Sequence, residues 1–164
     1  MKQDYTLILY SGSGFKKNAS TTDAHIESFM RYIDSRIISI DMTFIYSNEY
    51  LNVLKKKQFS HIFLHHSLFG VAPFNITSEY KEFIKQSNAL KICFFQDEYA
   101  SCLEKYEIIN KLKMNIVFTL LEKKYHQEEV FLDVRVIKLH MTFFASKKIR
   151  EKLTYQRTQG YYGQ

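Results

Sequence analysis

A chain of 164 residues is the size of one domain, and 46% hydrophobic against 24% charged residues excludes the disordered and the highly charged, supersoluble classes. One Pro and five Gly are too few for a collagen, a linker array or a turn-rich β sandwich, and no run approaches the roughly 18 consecutive apolar residues of a membrane span. The net charge of +6 is concentrated near the C-terminus, where Lys147, Lys148, Arg150, Lys152 and Arg157 stand against the single acid Glu151 after Met141; this weighs against nucleic acid as a partner and leaves an anionic membrane surface or an acidic partner open.

The N-terminus runs Met-Lys-Gln-Asp straight into a strand-like segment with no signal-peptide pattern, so a cytoplasmic location is expected. The first predicted strand is Tyr5 to Tyr10 (YTLILY). Ser11-Gly12-Ser13-Gly14-Phe15-Lys16-Lys17 follows it, either a ligand-facing turn or a flexible loop. The third glycine of the dinucleotide fingerprint and the Gly-Lys-Ser/Thr ending of a phosphate loop are both missing. A helix is predicted over Thr22 to Asp34, capped by Thr22 with Asp23 in its first turn, and Ile26, Phe29, Met30 and Ile33 fall on one face.

The next strand is Arg36 to Ile40 (RIISI), followed by a helix over Asn48 to Lys57. The third strand, His61 to His65 (HIFLH), ends in His65, His66 and Ser67. Alternation along a strand puts His61 and His65 on one face and His66 on the other, a poor arrangement for zinc, so no metal is expected. His65 or His66 suits a hydrogen-bonding or proton-transfer role in a crevice; the bland alternative is a strand-end histidine satisfied by backbone.

After a helix over Thr77 to Ser87, the fourth strand, Leu90 to Phe95 (LKICFF), runs into Gln96-Asp97-Glu98-Tyr99, the most polar strand end in the chain. The two carboxylates either cap a helix beginning near Ala100 or serve a site as general base or hydroxyl ligand. That helix, Ala100 to Lys113, carries Leu103, Tyr106, Ile109 and Leu112 at helical spacing, and a fifth strand follows at Asn115 to Thr119. Cys93 and Cys102 lack a Cys-x-x-Cys spacing and are expected as reduced, buried thiols. From Met141 through Ala145, Ile149 and Leu153 an apolar stripe opposes the lysines and Arg150, predicting a basic amphipathic helix that packs on the sheet, docks a domain or meets a membrane.

Strand and helix alternating five times predict an α/β fold: a Rossmann-like, doubly wound, mainly parallel sheet of at least five strands with helices on both faces. Residues 1–140 form this domain, with 141–164 a basic helix and tail. Ligands of such sheets sit beyond the C-terminal strand ends, at the point where strand order reverses. A receiver-like signalling domain would need acids after the first strand, where Ser11 and Gly12 stand.

Four segments together resemble the N-terminal half of bacterial glycosyltransferases with the two-domain GT-B fold: Thr22-x-x-His25-Ile26-x-x-Phe29, His61 to Ser67, Lys91-Ile92-Cys93-Phe94-Phe95-Gln96-Asp97-Glu98-Tyr99, and Asn115 to Thr119. The Gln-Asp-Glu-Tyr run is the most specific piece, and Arg157 to Gly163 is more weakly similar to a later element. The resemblance implies the acceptor-side half of a transferase of surface-polysaccharide synthesis. It acts on a glycan or lipid-linked acceptor, and a nucleotide-sugar donor is bound by a second domain for which 164 residues leave no room. By the same analogy Asp97, His65 or His66 orients or deprotonates the acceptor hydroxyl. Gly12, Ser13, Gly14, Ser67, Gln96, Glu98, Tyr99 and Thr119 line the cleft, with no cofactor within the chain. The alternative is a noncatalytic α/β binding or assembly module, or a degenerate remnant. A peripheral position on the inner membrane face would suit a lipid-linked acceptor.

Overall fold

A computed structural model describes residues 4–12, 20–44, 49–70, 73–96, 101–120 and 135–138. The chain divides into two compact units, one of Met1–Gly12 with Asp34–Leu139 and one of Ser13–Ile33 with His140–Gln164. The first holds a six-stranded, all-parallel sheet, and its architecture is Rossmann-like α/β.

In chain order its strands are β1 (Tyr5–Tyr10), β2 (Arg36–Asp41), β3 (Phe59–Leu64), β4 (Leu90–Phe94), β5 (Ile116–Thr119) and β6 (Arg135–Lys138). Its helices are α2 (Glu49–Leu54), α3 (Ser78–Gln86) and α4 (Cys102–Leu112), with single 3-10 turns at Met42–Phe44 and His66–Phe69. The spatial order is β2-β1-β3-β4-β5-β6. β1 therefore lies between β2 and β3, pairing Leu7 with Ile38 on one side and Ile62 on the other. The chain first winds outward to β2, then returns past β1 and continues in the opposite direction, which puts the reversal of strand order between β1 and β3.

Continuous apolar runs form the central strands because both sheet faces are removed from water. Leu7, Leu9, Ile62, Leu64, Cys93 and Val117 join Leu51 and Leu54 of α2, Tyr80 and Ile84 of α3, and Ile108, Ile109 and Leu112 of α4 in one buried cluster. Each such aliphatic side chain contributes roughly 1.5–3 kcal/mol by burial. The alternate strand positions carry a cross-strand row of stacked rings. Phe63 and Phe94 lie 6.1 Å apart at 17°, and Phe94 and Phe118 lie 4.8 Å apart at 7°.

Helix α3 begins at Thr77, whose Oγ1 accepts the Tyr80 N–H at 3.5 Å, and ends where the buried Lys91 donates its Nζ proton to the Ser87 carbonyl at 3.2 Å. A cation at the carbonyl end of a helix complements its dipole. Helix α4 starts at Cys102 behind Ser101, which is left-handed (φ 52°) and makes no side-chain capping bond. The expected start near Ala100 is thus late by two residues, and Asp97 and Glu98 precede the N-cap position by four and three residues. Both lie outside the described residues.

The expected apolar stripe of this helix also needs correction. Leu103 is 75% exposed, and the inward face is Lys105, Ile108, Ile109 and Leu112. Cys93 is buried as expected, but Cys102 is only half-buried; both are free thiols. β6 has no counterpart among the sequence-derived strands.

In the second unit, α1 (Ser20–Tyr32) has Asp23 in its first turn and Arg31 in its last, each complementary to the helix dipole. Thr22 lies inside this helix instead of capping it, and Met30 is 52% exposed, so it does not belong to the buried stripe. The His25 and Phe29 rings, one turn apart, lie 4.7 Å from each other. No helix among the described residues is long and apolar enough to cross a membrane.

Candidate functional site

The polar residues of the first unit collect beyond the C-terminal strand ends, where the backbone leaves its ladder and its amides and carbonyls need new partners. β3 keeps its pairing for one residue past Leu64, because the His65 N–H donates to the Leu9 carbonyl at 2.9 Å. The chain then turns into the His66–Phe69 coil, and His65 caps it. Its Nδ1 accepts the Ser67 N–H at 3.2 Å and lies 2.9 Å from the Ser67 hydroxyl. Ser67 Oγ in turn accepts the Ser11 N–H at 3.0 Å, joining the end of β3 to the end of β1 across the reversal.

These bonds fix the chemistry of His65. A ring nitrogen that accepts a backbone N–H carries no proton, so the neutral ring holds its proton on Nε2. The residue is fully buried, and one of its two nitrogens is committed to organising the strand end. The satisfied strand-end histidine weighed from sequence describes this nitrogen.

The sequence expectation that His65 and His66 point to opposite faces fails. Strand alternation stops at Leu64, and the coil that follows brings the two rings within 4.0 Å of each other, tilted by 40°. Burial pushes the His66 imidazole down to about 4. At neutral pH its ring is uncharged and only weakly basic, which suits a hydrogen-bonding group better than a proton carrier poised near pH 7.

A second assembly ties β1 to β2. Asp41, the last residue of β2, accepts two backbone N–H bonds on Oδ1, from Gly12 at 2.8 Å and from Thr43 at 2.9 Å. Thr43 Oγ1 donates to the Gly12 carbonyl at 2.5 Å and lies 3.0 Å from Ser11 Oγ. A Cβ on residue 12 would meet Asp41 Oδ2 at 2.1 Å. Glycine is required there by the approach of the carboxylate.

At β4 the backbone pairing also runs on, with the Phe95 N–H donating to the Phe118 carbonyl at 2.8 Å. Lys105, only 1% exposed, reaches up from α4. Its ammonium donates to the Gln96 carbonyl at 3.4 Å and lies 5.9 Å from the centre of the Phe95 ring. A cation is rarely buried so completely unless partners hold it, and here it holds the backbone immediately before Asp97. Thr119 closes β5 and is buried.

Of the sequence-derived site residues, Gly12, His65, His66 and Ser67 gather at the ends of β1 and β3, while Gln96 and Thr119 lie at the ends of β4 and β5. Ser13, Gly14, Asp97, Glu98 and Tyr99 lie outside the described residues. Asp41, Thr43 and Lys105 were missed, and Ser11 was read only as the start of the turn after β1. Asp41 carried a signal: it is the first polar residue after the apolar end of β2, the same pattern that drew attention to Asp97. Lys105 carried another, standing at i of an i, i+3, i+4, i+7 set with Ile108, Ile109 and Leu112.

No family model, no curated protein and no solved structure matches the chain.

Proposed function

We propose that the chain is the acceptor-side half of a glycosyltransferase, binding a glycan or a lipid-linked sugar at the carboxyl edge of its sheet. The observation that carries this reading is the line of hydroxyls, a carboxylate and neutral imidazoles along the ends of β2, β1 and β3, which crosses the reversal between β1 and β3. Ligands of open α/β sheets bind there, and polyhydroxyl ligands are recognised by such neutral donors and acceptors with a few carboxylates. The resemblance of the β4 segment and its Gln-Asp-Glu-Tyr continuation supports the class of reaction.

In this reading the donor nucleotide sugar is bound by a domain outside these 164 residues. His65 is a positioning residue for the strand ends, and the neutral His66 ring hydrogen-bonds the acceptor. Asp97, following the Gln96 carbonyl that Lys105 holds, deprotonates the acceptor hydroxyl; Glu98, Tyr99, Ser67 and Thr119 line the cleft. A peripheral position at the inner membrane face, through the basic 141–153 segment, brings the site to a lipid-linked acceptor.

The test is transfer in the presence of a donor-binding domain, supplied on the same chain or in trans. Asp97→Ala should lower turnover by roughly 10²–10⁴-fold, the range for loss of a general base, with the thermal midpoint unchanged. Wild-type turnover in that variant would overturn the assignment. One observation favours a second reading, a noncatalytic binding module: His65 Nδ1 and Ser67 Oγ are both engaged in internal bonds. That reading expects acceptor glycans to shift the amide resonances of this edge with no transfer under any pairing.

A further inference from the structure

We propose that Asp41 and Ser11 form a subsite that recognises a vicinal diol of the bound sugar. Thr43 Oγ1 spends its only proton on the Gly12 carbonyl at 2.5 Å, so the 3.0 Å contact between the Thr43 and Ser11 hydroxyls must be donated by Ser11. The Ser11 hydroxyl proton is therefore committed, and its oxygen faces any ligand as an acceptor.

Asp41 is committed in the same one-sided way. Oδ1 takes both backbone N–H bonds, which fix the orientation of the carboxylate, while Oδ2 takes no hydrogen bond among the described residues. Asp41 and Ser11 are both half-buried, open enough to be reached and sheltered enough for a hydrogen bond to count. Thr43 connects them, its amide on Asp41 Oδ1 and its hydroxyl on Ser11 Oγ.

Two acceptors linked through Thr43, one of them charged, suit a ligand with two adjacent donors. The neighbouring hydroxyls of a pyranose or ribose ring supply this, each donating one proton. A divalent cation fits less well, since calcium takes six to eight oxygens and this pair offers two. Glycine at position 12 lets the carboxylate approach the backbone closely, since a Cβ there would meet Asp41 Oδ2 at 2.1 Å. The subsite rests on the acceptor-side reading and specifies what it binds.

The test uses the full 164-residue chain, the probe methyl α-D-mannopyranoside, its 2,3-dideoxy analogue, and magnesium or calcium alone, each followed by the amide resonances of Gly12 and Thr43. The mannoside should shift both, and the dideoxy analogue neither. Asp41→Asn is the decisive variant. Asparagine keeps an Oδ1 for the two backbone amides but puts an N–H donor in place of Oδ2. It should keep the thermal midpoint and lose at least about tenfold in affinity, as expected for a hydrogen bond to a charged group. Ser11→Ala should lose about threefold or more on the same scale.

Unmoved amides at about 100 mM mannoside, far above a millimolar dissociation constant, equal binding by Asp41→Asn, or shifts caused by the cation and not the sugar would each overturn the subsite. If the sugar shifts His66, Gln96 and Thr119 but leaves Gly12 and Thr43 unmoved, the subsite falls and the acceptor-side reading stands. If Gly12 and Thr43 respond while no donor-binding domain, on the same chain or in trans, supports transfer, the transferase assignment falls and the subsite stands.

Discussion

His66 shows how a single side chain can set a pH limit on the fold. Its imidazole is held down to about 4 by burial, whereas an unfolded chain binds the same proton near 6.5. Between those values the unfolded state carries more protons than the folded one, so stability falls as pH drops from 6.5 toward 4 and is flat above 6.5 with respect to this group. The slope cannot exceed about 1.4 kcal/mol per pH unit for one proton. Urea unfolding between pH 7.5 and 4 should show this decline, and His66→Gln should flatten it. A variant whose pH profile overlays the wild type would exclude His66 as the source.

At the same scale, the sequence disclosed the residue types at the strand ends but not their bonding. Ser11, Gly12, His65 and Ser67 are conspicuous in order, yet nothing in that order says that the Ser11 amide finds the Ser67 hydroxyl 56 positions away. That pairing exists because β1 and β3 are neighbours. His65 and His66 were misjudged for a related reason: the rule that placed them on opposite faces holds only while the chain is extended, and the chain coils one residue earlier than the apolar pattern suggests.

Among the elements, the continuous apolar strands were the most legible. Tyr5–Tyr10 is recovered to the residue, and β2 to β5 to within two residues at either end, because a run buried on both faces has few alternative structures. Arg135–Lys138 was not legible, since two apolar residues between two cations do not differ from a loop by pattern. Helix α4 misled because Leu103 mimics the apolar stripe that Lys105 occupies.

Helix α3 offers a direct test of its packing. Tyr80 is fully buried and its hydroxyl has no hydrogen-bond partner among the described residues, while burial raises its pKa above the usual phenol value. Removing an unsatisfied hydroxyl relieves a desolvation cost. Tyr80→Phe should therefore leave stability equal or raise it by up to about 1 kcal/mol in urea unfolding. A loss of more than about 1 kcal/mol would show that the hydroxyl is satisfied in solution.

For the whole molecule, the charge surplus from Met141 to Gln164 sets an expectation that no single element does. In the proposed membrane role, the surplus of four positive charges and the apolar stripe of this segment would both contribute to binding anionic lipid. The chain should co-sediment with phosphatidylserine-containing vesicles at low ionic strength and release at about 0.5 M salt, where charges are screened within a few Å. Equal binding to purely zwitterionic vesicles, or none to either, would remove the membrane from the account.

The strand order also has a kinetic consequence. Because β1 pairs with β2 on one side and β3 on the other, with Tyr5 opposite Phe59, half of its backbone bonds wait for residues more than fifty positions later. Closing that loop costs entropy before any contact repays it, so formation of the β1–β3 pair is a slow step relative to local helix formation. Until then the inner edge of β1, with Leu7 and Leu9, is an unpaired apolar strand, the kind of transient edge on which chains aggregate. The same junction that later holds the polar crevice is the last place on β1 to be sealed.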